Sequence, residues 1–159
     1  MKSVGKIKFQ GSNEYKIFES IRKTKGGGGL ATGISKHLEP VYIREGDDFT
    51  ELLVTQIKIR DFYVRLINAY GPQECDSLER KEQFWARIAA EIRDAEDNNC
   101  GVFIEMDSNA HLGIIQNDPC PRNHNGTLFA NFLNEHSSLH LLNNDPMCEG
   151  LITRKTGRG

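Results

Sequence analysis

Two nine-residue stretches, Glu51–Ile59 and Phe62–Tyr70, are rich in β-branched and aromatic residues and are separated only by Arg60-Asp61. That spacing predicts an antiparallel hairpin. Side chains alternate along a strand, so Val64, Leu66, Asn68 and Tyr70 share one face and Tyr70 ends its strand with a phenol at the rim. Two further strands are predicted upstream, at Tyr15–Ile21 and residues 30–34, and the four together predict an antiparallel meander. The intervening Gly26-Gly27-Gly28-Gly29 lacks the G-K-[ST] of a phosphate loop and reads as a tight turn or a close backbone approach.

After Tyr70-Gly71-Pro72 the period changes. Asp76 with Glu79 has the spacing of a capping box, and Leu78, Trp85, Ile88, Ile92 and Ala95 then recur at helical intervals. This predicts an amphipathic helix ending near Asn98-Asn99, with Trp85 in the core. The next run, Gly101-Val102-Phe103-Ile104-Glu105-Met106-Asp107-Ser108-Asn109, reads as a buried strand ending in an acid and an amide two residues apart. Extended backbone puts Asp107 and Asn109 on the same side of the strand's carboxyl end, where α/β-type sheets place ligand sites. A carboxylate there can orient water or hold a divalent cation, and an amide can donate to a phosphate oxygen. A Pro-punctuated polar loop follows, then a helix over about residues 127–136 with Leu128, Phe129, Phe132 and Leu133 inward. A short strand is expected at residues 139–142 and the start of another at Ile152-Thr153. Hairpins followed by alternating strands and helices imply an α+β chain with helices on outer faces.

At 159 residues, 38% hydrophobic and 26% charged, the chain suits one globular domain that needs no disulfide or metal to hold its core. No apolar run reaches the roughly 18 residues of a membrane span, and no apolar segment follows the first lysines as in a secretory signal. Cys75, Cys100, Cys120 and Cys148 are scattered without a C-x-x-C, which predicts reduced thiols in an intracellular protein. Asp118, Cys120 and His124 lack a second ligand pair and read as loop residues. The first 36 residues carry a net +6 and the last ten a net +3, against −11 between them. Basic ends around an acidic middle suit phosphate-binding rims about a metal centre, and equally a solvated surface.

The order of these motifs resembles the endonuclease/exonuclease/phosphatase superfamily, and within it the endonuclease domains of non-LTR retrotransposons. The resemblance runs from about Tyr15 to Arg154. It rests on the Gly-rich turn and strand, Asn68-Ala69-Tyr70-Gly71-Pro72, the helix with Phe84, and Asp107-Ser108-Asn109-Ala110-His111-Leu112-Gly113. Asn125-Gly126-Thr127-Leu128 with Phe132, Leu141-Leu142-Asn143 and Thr153-Arg154 complete it. The resemblance implies a four-layer α/β/β/α sandwich of the DNase I-like kind that hydrolyses phosphodiesters with Mg²⁺, or Mn²⁺ in its place. It assigns Asp107 to the attacking water, Asn109 and Tyr70 to phosphate oxygens, and Asn68, Thr153 and Arg154 to the substrate-contacting surface. DNA is the implied substrate, a reverse transcriptase domain the implied neighbour, no membrane is involved, and the implied compartment is the nucleus.

The pattern also departs from the family. Glu105-Met106 stands where the family has glycine before the acid, and Glu105, which shares strand parity with Asp107, becomes a candidate cation ligand. No residue matches the family's upstream metal-binding glutamate or its closing Ser-Asp-His, so the reading predicts an incomplete copy, one partial domain without its first and last strands, nearly inactive alone. Two other readings stay open: a small-molecule or lipid phosphodiesterase or phosphatase of the same fold, and a noncatalytic remnant or interaction module.

Overall fold

The computed structural model describes residues 13–22, 29–47, 50–113 and 120–145. The described residues form a mixed α+β structure of six strands in two sheets, with two α-helices: β1 (Tyr15–Ile21), β2 (Gly29–Ser35), β3 (Val41–Glu45), β4 (Glu51–Ile59), β5 (Phe62–Tyr70), α1 (Leu78–Asp97), β6 (Cys100–Asp107) and α2 (His124–Glu135). One domain was the sequence expectation. The described residues fall into two compact units, one within Met1–Gly71 and Ala86–Asp107, the other within Pro72–Trp85 and Ser108–Gly159.

In the first unit β1 and β2 form an antiparallel pair, while β3-β4-β5-β6 form a second sheet in which only β5 and β6 run parallel. The expected single meander is therefore split between two sheets. Its hairpin is as predicted, with Arg60 taking a left-handed φ of 55° at the turn. Gly29, at φ 148°, passes so close to β1 that a Cβ would lie 2.3 Å from the Ser20 carbonyl oxygen, the close approach that the glycine run suggested. β3 was not foreseen; it is an outer strand with Val41 and Tyr42 about half exposed and a register shift between Tyr42 and Arg44.

Alternation gives the larger sheet two different faces. One carries Leu53, Ile57, Val64 and Leu66, which pack with Phe18, Leu30, Ile34 and Leu38 of the smaller sheet and its following 3₁₀ turn. Each well-buried side chain of this kind contributes about 1.5–3 kcal/mol. Asn68 strengthens the same junction, its amide nitrogen donating to Ala31 O at 3.2 Å and Thr32 Oγ1 at 3.1 Å. The opposite face buries Leu52, Val54, Ile67 and Ala69, and ion pairs hold the C-terminal half of α1 there. Asp94 Oδ2 accepts from Arg44 and Arg65 at 2.7 Å each, and Ile88, Ile92 and Ala95 of that helix are buried.

In the second unit Trp85 is enclosed by aromatic rings, with Phe84, Phe129 and Phe132 centred 4.9–5.1 Å away. Ser77 rather than Asp76 caps α1: its Oγ accepts from the Arg80 N–H at 3.3 Å. Asp76 is drawn back into the preceding turn by the Gln73 N–H, and Glu79 pairs with Gln83 instead of closing a box. Helix α2 starts three residues earlier than the apolar spacing predicted, because Asn123 supplies the cap. The strand expected at residues 139–142 does not form; Leu139 lies in a turn closed onto the His136 carbonyl, and a 3₁₀ turn follows over Leu142–Asn144. The strand expected at Ile152-Thr153 lies outside the described residues.

Candidate functional site

Register brings the first unit's polar residues into a row. Tyr70 ends β5 and pairs with Asp107 at the end of parallel β6, while on its other side it pairs with Glu51 at the start of β4. Paired residues project to the same face, so Glu51, Tyr70 and Asp107 form one line across three neighbouring strands, each step about 4.8 Å. The Gly71 N–H donates to the Asp107 carbonyl oxygen at 2.7 Å and holds the two strand ends in register. Asp107 is exposed and Tyr70 half-buried on this rim.

Arg22, just past the end of β1, joins the row from the smaller sheet. Its Nη2 donates to Glu51 Oε2 at 2.8 Å, and its guanidinium carbon lies 5.6 Å from the centroid of the Tyr70 ring. The hydrogen bond to Glu51, opposed by burial and aided by that carboxylate's charge, raises the Arg22 pKa. Sequence reasoning missed both residues. Glu51 was available by counting back from the Arg60-Asp61 turn, since the hairpin sets it opposite Tyr70. Arg22 had no local signal.

The next row inward is Leu53, Asn68 and Glu105. Glu105 is exposed on the same face as Asp107. Asn68, assigned by the resemblance to substrate, has its amide nitrogen occupied in joining the sheets. Thr153 and Arg154 lie outside the described residues.

Asn109 belongs to the second unit. Strand β6 ends at Asp107 and Asn109 takes a left-handed φ of 50°, so the extended alternation that was to carry it to the side of Asp107 does not reach it. Its surroundings are built by the start of α2. Asn123 Nδ2 and Asn125 Nδ2 donate to the Asn109 carbonyl at 3.1 and 3.2 Å, and Asn125 Nδ2 also donates to Pro72 O at 2.8 Å. Asn123 Oδ1 accepts from the N–H groups of His111 and Gly126 at 3.0 and 2.7 Å. Glu74 receives the N–H groups of His124 and Asn125 at 3.2 and 3.4 Å, so a carboxylate of this chain occupies the helix start that favours anions. Gly126 is required there, because a Cβ would lie 1.9 Å from the His111 carbonyl oxygen.

Among the described residues no three His, Cys, Asp or Glu side chains gather as a metal site. Mg²⁺ is commonly held by one or two carboxylates while keeping several waters. Asp107 and Glu105, two residues apart on one exposed face, meet that minimum and no more. Among the described residues no helix is long and apolar enough to cross a membrane. Comparison with protein-family models, with curated proteins and with solved structures finds no match in any of the three.

Proposed function

We propose that the chain belongs to a Mg²⁺-dependent phosphodiesterase of the endonuclease/exonuclease/phosphatase superfamily, acting on DNA as the endonuclease part of a retrotransposon-type protein in the nucleus. In this reading the two packed sheets with α1 outside are the inner part of a DNase I-like four-layer sandwich. The supporting observation is the Tyr70–Asp107 pairing at the carboxyl ends of the parallel β5–β6 pair, with an acid and a phenol on the same rim.

Asp107 orients the attacking water and takes its proton, a role typically worth about 10²- to 10⁴-fold in rate. Tyr70 donates its hydroxyl to a nonbridging phosphate oxygen, where charge grows as the transition state forms. Bound Mg²⁺, carried by Asp107 and Glu105, would neutralise part of that charge. Among the described residues no third acidic, histidine or cysteine side chain gathers with these two, and turnover is expected to be slow.

Nicking of supercoiled plasmid at high protein concentration tests this. The expected result is weak nicking that requires Mg²⁺ and disappears in Asp107→Asn. Nicking that persists in Asp107→Asn, or that is indifferent to EDTA, overturns the assignment.

A further inference from the structure

The Glu51–Tyr70–Asp107 row contains two carboxylates and one phenol, and Arg22 reaches it from just past the end of β1 in the other sheet. Arg22 contacts the row twice, through its hydrogen bond to Glu51 and through its position over the Tyr70 ring. We propose that Arg22 is a phosphate-binding residue of this site, docked on Tyr70 and Glu51 in the free protein and turned onto a phosphate oxygen of a bound DNA strand. This rests on the phosphodiesterase reading and names the residue that grips its substrate.

Three features argue for it. The guanidinium is planar and delocalised and stacks on aromatic faces; of its five donors Glu51 takes one at Nη2 and the Nε–H is buried. The Arg22 and Glu51 side chains are 31% and 19% exposed, so the pair sits at the water boundary, where such pairs are worth about 0–1 kcal/mol and yield readily to a competing anion. Contact with the Tyr70 ring limits the rotamers of both side chains, so guanidinium and phenol are presented together and less ordering remains for binding to bring about.

A purely structural Arg22–Glu51 clasp between the sheets makes the opposite prediction for one variant. If Glu51 competes with phosphate, Glu51→Gln frees the guanidinium and removes a repelling charge. If the clasp merely joins β1 to β4, Glu51→Gln weakens whatever the site binds.

Anisotropy titrations of the full chain with a fluorescent short DNA duplex, without divalent cation and over a range of salt, separate these. Arg22→Met is expected to weaken binding roughly five- to tenfold at low salt and to reduce the slope of log K against log[salt] by about 0.9, one phosphate contact. Glu51→Gln is expected to tighten binding. Unchanged binding in Arg22→Met, or Glu51→Gln binding no tighter than the parent chain, overturns the proposal. If Arg22→Met does not fold, as judged by thermal unfolding, Glu51→Gln decides alone. Loss of the Arg22 effect with Asp107-dependent nicking intact defeats this inference and leaves the phosphodiesterase reading standing; nicking independent of Asp107 defeats the reading itself.

Discussion

Tyr70 and Asp107 are register partners at the carboxyl ends of two parallel strands, locked by the bond from the Gly71 N–H to the Asp107 carbonyl. Antiparallel neighbours place opposite strand ends side by side, so among the described strands only the β5–β6 pair brings two carboxyl termini together. A helical crossover between them is what makes that pairing available. The chemistry proposed here depends on this one change of strand direction.

Gly126 is expected to tolerate no side chain. Gly126→Ala drives a Cβ into the His111 backbone carbonyl, which cannot swing aside as a side chain would, and such overpacking costs about 1–3 kcal/mol or more. Thr127→Ala, at an exposed position, should stay within about 0.5 kcal/mol of the parent. Urea unfolding of the two variants checks both values.

Trp85 is the chain's one tryptophan and its emission therefore reports the second unit. Phe132 lies 4.9 Å from it, ring centre to ring centre. Phe132→Ala should shift the emission to longer wavelength and cost about 3–5 kcal/mol. Fluorescence during denaturant unfolding measures the two effects together.

Acid should loosen the packing of α1 on the larger sheet. The Arg65 hydrogen bond, with the charges of Arg44 and Arg65, lowers the Asp94 pKa below its ordinary value. A depressed folded pKa means the native state binds fewer protons than the unfolded chain. The contribution is thus fully present above the unfolded carboxylate value of about 3.9 and is lost as pH falls through the lower, folded one. Asp94→Asn should lower the thermal midpoint at neutral pH and flatten its decline in acid. Circular dichroism melts from pH 7 downward give both slopes.

The hairpin was legible to the residue because its β-branched alternation and two-residue turn are local properties. The larger helix was legible in its apolar face and less so at its start, where Ser77 and Asp76 stand side by side and only tertiary context decides which caps. Strand β3 escaped because an outer strand with half-exposed Val41 and Tyr42 has no alternation to read. Residues 139–142 misled for the converse reason: a short apolar run looks like a strand whether or not a neighbouring strand is there to pair with it. At the site, Asp107 and Tyr70 could be placed at strand ends, and Glu51 could have been placed opposite Tyr70. Arg22 reaches the row from 29 residues before Glu51 in the chain, and no pattern in sequence marks such a contact. Asn109 leaves extended geometry directly after the strand, where alternation has nothing more to say.

The most direct measurement is single-turnover cleavage of a labelled DNA duplex, protein in excess and Mg²⁺ present, for the parent chain, Tyr70→Phe, Asp107→Asn and the double variant. If both side chains serve one phosphodiester, Tyr70→Phe slows cleavage, Asp107→Asn abolishes it within detection, and the double variant is no worse than Asp107→Asn. Cleavage that proceeds at the parent rate in Asp107→Asn contradicts the account.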